Sequence, residues 1–417
     1  MAQQSGSQGS RREFLEALAG LAALECVGPE RSALAADTPR DLKPSAANLG
    51  SLFAEVEKLA AGNRYPWSFL GDRFKTLDEF KQAGREKVLE VLQHRPEKVE
   101  PKAEVLERVD QGEFTREKIL FSTTPQFRVP AYVLIPKGLK KPAPAIVDLH
   151  SHGGMFLFGK EKVMDLGQNH PTMTTYHQRN YDGRPTATAL AKRGYVVITI
   201  DAFMFGERRL LLDADLKYGW DRAKYSAEDV QHLNQQCRGK ETTLAKSMVF
   251  AGLTWPGIIF WDDMRTVDYL VTRPEVDPKR IGCVGISMGG YRSFYLAGLD
   301  ERIAAACVVG FMSTVKPMIQ AHVDTHSWVH FLPEIHRYLD WPDVVSMMAP
   351  KPLLVQQCSQ DRLFPLSGMK KSLEKIAAVY AKAGVKDRFT GQFHEAPHIF
   401  NQAMQDEAFA WFDKQLK

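Results

Sequence analysis

After residue 113 the chain alternates short apolar runs with amphipathic stretches. "EKILFST" and "FRVPAYVLIP" are rich in β-formers and partly alternate. They precede runs with almost no polar interruption: "AIVDLH", "YVVITID", "IGCVGI", "AACVVG" and "PLLVQQC". Such runs predict strands buried on both faces of a parallel sheet. Helical stretches such as "ATALAKRG" and "WDDMRTVDYLVT" fall between them, and this alternation predicts βαβ units. Two insertions interrupt the pattern, residues 155–185 after "HSHGG" and residues 311–348 after "AACVVG". Both are expected at the carboxyl ends of the strands, where the active-site loops of such sheets lie.

Ahead of the sheet, residues 50–95 carry a helical period. "TLDEFKQAGREKVLEVL" opens with Thr76 and Glu79 at capping-box spacing and turns Leu77, Phe80, Val88 and Leu92 inward. The organisation read from the pattern is a linker and helical extension over 36–112 and an α/β domain over 113–417.

The first residues differ. "GSRREFLEALAGLAALECVG" pairs Arg11 with Arg12, then runs through Phe14 and Leu15 into a short, mildly apolar segment, and "ALA" follows at Ala33–Ala35. This resembles a twin-arginine export signal over residues 1–35 with a small-x-small cleavage site, which implies a periplasmic or secreted protein. The apolar segment is too short and interrupted for a membrane span, and Glu25 stands where a lipoprotein signal needs a small residue before Cys26. No stable membrane anchor is expected.

Composition excludes more than it selects. The 417 residues are 44% hydrophobic and 25% charged, as in ordinary soluble proteins, and the formal charge of +4 is slight for that length. Removing residues 1–35 takes away three arginines and four glutamates, which raises the charge by one. With no basic block and no basic-aromatic interleaving, nucleic acid is not an expected partner. Of the cysteines beyond the signal, Cys283, Cys307 and Cys358 lie in strand-like apolar runs. These and Cys237 are expected as free thiols, with no disulfide framework and no zinc-site spacing.

The chemistry centres on "VGISMGGYRS". "KRIGCVGI" before Ser287 reads as a buried strand, and Tyr291, Phe294, Tyr295 and Leu299 after it follow a helical period, so Ser287 sits at a strand-to-helix turn. Side chains at Gly285 and Gly289 would collide where strand and helix cross, and glycine removes the collision. This is the nucleophile-elbow pattern. A serine hydroxyl needs a base, and the base an acid to orient it. Asp361 follows the strand "PLLVQQC", and His398 lies in the loop of "DRFTGQFHEAPHIF". His394 is the alternative base, and Asp324 and Asp343 are alternative acids. The oxyanion needs two backbone donors: the N–H of Met288, and one from "HSHGG", where His152 is the first choice and Gly153 the second. His150 and His152 are expected to shape this loop through their side chains.

These motifs resemble the α/β-hydrolase superfamily. Within it the likeness is to serine esterases of the dienelactone-hydrolase and acetyl xylan esterase-like group, over roughly Glu113–Lys417, through "HSHGG", "DAFMFGERR", "RPEVDPKRIGCVGISMGG", "APKPLL" and "PHIF". The resemblance implies an α/β-hydrolase fold and ester hydrolysis without a cofactor. Dienelactone hydrolases carry a cysteine at the Ser287 position, and glucuronoyl esterases an arginine at the Met288 position, so neither of those substrate classes is implied.

Further candidates remain. Arg208, beside Glu207, and the aromatic residues Trp328 and Trp341 of the later insertion are candidate substrate contacts. His322, His326 and His330 repeat every fourth residue, which on one helix would align three imidazoles, yet no carboxylate joins them and no metal is expected. Aromatic faces beside polar groups suit sugar rings. The expected substrate is therefore a short-acyl ester of a carbohydrate or small alcohol. The alternatives are a serine peptidase of the prolyl-oligopeptidase kind, which would need a β-propeller where this chain reads as helical, and a non-catalytic carbohydrate-binding protein on the same scaffold. The pattern fixes no oligomeric state.

Overall fold

The computed structural model describes residues 47–218 and 221–417. The segment read as an export signal lies outside them. Two helices come first, α1 (Phe53–Ala61) and α2 (Leu77–Val91). The Thr76 hydroxyl accepts from the Glu79 N–H and the Glu79 carboxylate accepts from the Thr76 N–H, the reciprocal cap that their spacing predicts. Strands β1 (Glu104–Asp110), β2 (Phe114–Ser122), β3 (Arg128–Pro136) and β4 (Ala143–Asp148) follow, then α3 (Pro171–Tyr181), α4 (Thr186–Lys192) and β5 (Val196–Ile200). Next come α5 (Asp213–Tyr218), α6 (Ala227–Phe250), α7 (Trp255–Leu270), β6 (Val276–Ile286), α8 (Met288–Leu299) and β7 (Ile303–Val309). The chain ends with α9 (Met318–Ala321), α10 (Trp341–Ser346), β8 (Leu353–Cys358), α11 (Leu366–Lys382), β9 (Phe389–His394) and α12 (Gln402–Leu416).

The nine described strands form one sheet in the order β1-β2-β3-β5-β4-β6-β7-β8-β9. From β5 to β9 every neighbouring pair is parallel, and β1, β2 and β3 add an antiparallel flank. This is the α/β-hydrolase fold. Its central strands read as unbroken apolar runs because helices cover both faces: all six residues of β4, all five of β5 and all six of β8 are buried. One apolar layer holds Phe80, Val88, Phe260, Tyr291 and Val355, and the other holds Ile146, Val197, Val284, Phe409 and Phe412. The four described cysteines are free and buried, Cys283, Cys307 and Cys358 within the strands where their apolar runs place them.

The structure differs from the pattern in three places. β1 begins before residue 113 because "EVLERVD" is an edge strand, exposed along nearly its whole length, whose charged residues hide any alternation. The 24-residue α6 was not anticipated. Its signal was present in Ser226 and Asp229, which cap each other, followed by Val230, Leu233 and Cys237 on one buried face. Finally, His322, His326 and His330 do not share a helix, since α9 stops at Ala321 and a separate short turn carries Trp328–His330.

Helix α8 is buried at every residue. Its one charge, Arg292, forms a two-pronged pair with Asp263 of α7, Nε to Oδ2 at 3.0 Å and Nη2 to Oδ1 at 2.6 Å, and both side chains are fully buried. Removing one member strands the other charge in the core, which costs on the order of 3–5 kcal/mol. Arg292→Met is therefore expected to lower the unfolding free energy by that amount in urea titration, and a loss below about 1 kcal/mol would contradict the assignment.

Candidate active site

Ser287 is the single residue between β6 and α8, with φ 61° and ψ −128°. A side chain rarely adopts this backbone conformation, and the surroundings hold it there. The Ser287 N–H donates to the Val309 carbonyl (3.0 Å), and its carbonyl accepts from the Tyr291 N–H (2.9 Å). A Cβ at Gly285 would lie 2.5 Å from both the Gly289 carbonyl carbon and the Leu149 oxygen, and one at Gly289 would overlap the same oxygen. The strand–helix crossing was legible in the sequence. The second obstacle, the end of β4, was not.

His398 and Asp361 meet. His398 Nδ1 lies 2.6 Å from Asp361 Oδ2, and the other carboxylate oxygen accepts from the Leu363 N–H (2.8 Å). A carboxylate only accepts, so Nδ1 carries the hydrogen and Nε2 of the neutral ring is left with a lone pair. That Nε2 is buried and has no partner among the described residues. His398 and Ser287 line the same cavity of about 400 Å³.

The alternatives lie elsewhere. His394 faces Glu407 at 3.6 Å and does not line the cavity. Asp343 is buried among Ser68, Lys375 and the Asp340 N–H. Asp324 reaches the cavity wall, yet it accepts from Asn48 rather than from His398.

The loop after β4 closes the other side. The Ala202 N–H donates to His150 Nε2 (3.1 Å), which ties the loop to the end of β5. The Gly154 N–H donates to His152 Nδ1 (3.0 Å), so His152 Nε2 carries the hydrogen and donates to Glu241 Oε1 (2.7 Å). Burial lowers the pKa of both imidazoles. Both side chains thus brace the loop. Ser151, His152 and Gly153 line the cavity, and Met288, first residue of α8, offers a backbone N–H that the helix leaves unpaired.

Of the candidate substrate contacts, Trp328 lines the cavity and donates from Nε1 to Thr242 Oγ1 (3.0 Å). Arg208 and Trp341 do not line it. Arg208 pairs with buried Asp262 at 2.6 Å, and Trp341 packs on Phe311 at 5.2 Å between ring centroids. Sequence reasoning missed Arg238, Glu241 and Thr242 of α6, and also Arg179 of α3, which line the cavity; Glu241 accepts from the Ser327 hydroxyl and Thr242 from the Trp328 indole. His326 and His330 also line the cavity. Burial lowers the pKa of both, and no group of three metal-binding side chains is placed for an ion among the described residues.

Over residues 63–395 the sequence matches the profile of the Abhydrolase family. The Bacillus subtilis (strain 168) protein YtaP, named as a candidate hydrolase, is 26% identical over 334 residues, which span 80% of this chain and 98% of YtaP. A solved Bacteroides fragilis protein, named as a candidate acetyl xylan esterase, superposes with a TM-score of 0.63 at 19% identity and covers 85% of this chain and 86% of its own. A glucuronoyl esterase from Solibacter usitatus gives a TM-score of 0.55 at 14% identity over 82% of this chain and 94% of its own.

Asp148, the last residue of β4, makes a pH test of the site's foundation. Burial raises its carboxyl pKa to about 7. Between about pH 4 and 7 the native acid keeps a proton that the unfolded chain has lost. Its contribution to stability is full below about pH 4 and is lost as pH rises through about 7. Relative to wild type, Asp148→Asn is expected to gain on the order of 3–4 kcal/mol between pH 4 and pH 8, read from urea unfolding at each pH. A pH-independent difference would show that Asp148 is ionised in the fold.

Proposed function

The chain belongs to the Abhydrolase family, and on that premise we propose that it hydrolyses carboxylic esters through a covalent acyl-enzyme on Ser287. The observation that carries this is the Asp361–His398 hydrogen bond, which leaves an Nε2 with no partner among the described residues on a ring that lines the cavity with Ser287. Attack of the Ser287 oxygen on the ester carbonyl passes the hydroxyl proton to His398 Nε2. Collapse of the tetrahedral intermediate breaks the bond to the alkoxy oxygen, which takes that proton. Water then attacks the acyl-enzyme, again losing its proton to His398, and the acid leaves as Ser287 recovers its hydrogen. Asp361 holds the imidazole in the required tautomer, and the N–H groups of Met288 and the loop after β4 face the oxyanion.

For substrate, we propose short-acyl esters, acetyl first, of carbohydrates or small alcohols. Arg179, Arg238 and Trp328 at the cavity wall support this, because guanidinium donors and an indole ring lining one cavity suit the hydroxyl edges and C–H faces of a sugar. The name of the Bacteroides fragilis neighbour, a candidate acetyl xylan esterase, points the same way, and export, which we propose from residues 1–35, fits a polymer-derived substrate. A second reading has its own observation. A neighbouring chamber of about 380 Å³, walled by Trp255, Ile319, Phe331, Leu332 and Trp341, shares His326, Trp328 and His330 with the serine cavity. Such a chamber favours an ester with a larger apolar or aromatic group.

Two experiments test these readings. Ser287→Ala is expected to cost on the order of 10⁶ in turnover and His398→Ala nearly as much, with Asp361→Asn less and His394→Ala little. A tenth of wild-type activity in Ser287→Ala would end the mechanism, and reversal of the two histidine results would move the base to His394. In a panel of acetyl, butyryl and octanoyl esters of sugar and aryl alcohols, kcat/KM is expected to fall as the acyl chain lengthens. A rise toward octanoyl with acetylated sugars inert would select the second reading.

A further inference from the structure

A lysine lies buried beneath the loop after β4. Lys162 is 0% exposed, and its Nζ donates to the carbonyls of Ser151 (2.8 Å) and His152 (3.0 Å) while lying 4.4 Å over the ring of Phe205. Its neighbour Lys160 is held by Asp201, Glu161 and Glu207, whereas Lys162 has no carboxylate within ion-pair distance among the described residues. An amine buried without an acid is costly, and packing alone does not require one there. Burial lowers its pKa well below the lysine range, yet either protonation state keeps the two N–H donors that the two carbonyls use.

A trans peptide sets its N–H opposite to its C=O across one plane. The Ser151 carbonyl and the His152 N–H share one peptide, and the His152 carbonyl and the Gly153 N–H share the next. A side chain that binds both carbonyls from the buried side therefore turns both N–H groups away from itself. The Gly154 N–H is taken by His152 Nδ1 and the Met155 N–H by the His152 carbonyl, whereas the His152 and Gly153 N–H groups have no acceptor among the described residues. Gly153 and Gly154, with φ of 58° and 68°, form the left-handed turn that the Met155 N–H closes on the His152 carbonyl, a conformation glycine adopts without strain. Both His152 and Gly153 line the cavity with Ser287. From the far side, Arg292 Nη1 lies 3.4 Å from the His150 carbonyl, so three successive carbonyls of this loop face buried nitrogen donors.

We propose that Lys162 is a positioning residue for the oxyanion site, holding the Ser151 and His152 carbonyls so that the His152 and Gly153 N–H groups meet the ester oxygen as it becomes negative. This assigns two donors from the loop rather than one, and it rests on the ester-hydrolase reading above. The interaction is made in the transition state, so its loss falls on kcat and on the reaction of Ser287 with phosphorus reagents that form the same oxyanion geometry.

The test compares Lys162→Met, which keeps the length, with Lys162→Gln, which is polar but one bond too short to reach both carbonyls. Lys162→Arg serves as the conservative replacement. Folding is checked by circular dichroism. With 4-nitrophenyl acetate, Lys162→Met is expected to lose about 100-fold in kcat with KM within about three-fold, and labelling of Ser287 by a fluorophosphonate slows in proportion. Lys162→Gln is expected to follow in the same direction by about ten-fold or more, and Lys162→Arg to recover part of the loss. Should Lys162→Met fail to fold, the Gln variant carries the test. Wild-type kcat in a folded Met or Gln variant would overturn the proposal, as would a loss shared equally by kcat and KM with labelling unchanged. If wild type cleaves no ester but is labelled at a rate that depends on Lys162, the ester reading falls and the positioning role stands. If wild type is not labelled at all, both fall.

Discussion

The Leu149 carbonyl oxygen at the end of β4 lies so close to Gly285 and Gly289 that neither position has room for a side chain. Much of the site follows from that contact. It presses the start of α8 against the sheet, and the turn between β6 and α8 then has one residue in which to reverse direction. Ser287 takes up the strain at φ 61°. Such a conformation costs about 1–3 kcal/mol and persists only where its surroundings over-determine it. Here they do: Val309 holds the Ser287 N–H, Tyr291 the Ser287 carbonyl, and Asp263 anchors Arg292 one turn further along α8. The same contact fixes where β4 ends, hence where the loop His150–Gly154 begins and which of its N–H groups face the serine.

Behind that loop lies a layer of buried charge. Lys160 and Asp201 are both fully buried and 2.7 Å apart, Arg222 joins through Glu161 at 2.8 Å, and Arg208 pairs with Asp262 at 2.6 Å. Asp201, just past the end of β5, also accepts from the Lys160 and Glu207 N–H groups. Gly159 and Gly206 wrap it so closely that a Cβ at either would strike its carboxylate. Buried pairs of this kind add little net stability relative to apolar packing, but breaking one is expensive. They therefore specify a single arrangement of the loops at the strand ends. Lys162, two residues beyond Lys160, has no carboxylate within ion-pair distance among the described residues and binds backbone carbonyls instead.

The sheet was legible because its strands are buried on both faces, so β4 to β8 stand out as apolar runs, and the elbow because glycine was required twice around one serine. Asp361 and His398 could be named because each follows its strand in the expected chain order. What stayed hidden depends on contacts between segments distant in sequence. Arg208 beside a strand end resembles a substrate contact until Asp262, 54 residues on, is seen to pair with it. Trp341 reads as a sugar platform but packs on Phe311 and Tyr291. The wall of the cavity comes from α6, whose polar exposed face suppresses its apolar period, and Lys162 is indistinguishable in sequence from a surface lysine.

The central claim is that Ser287 becomes covalently acylated with His398 as its base. Rapid-quench mass spectrometry of the protein mixed with excess 4-nitrophenyl acetate, followed by peptide mapping, tests it directly. The account predicts an acetyl group on the peptide carrying Ser287, formed within the first turnover and absent when His398 is replaced by alanine. An acetyl group on any other residue at the rate of turnover, or turnover with Ser287 unmodified throughout, would contradict it.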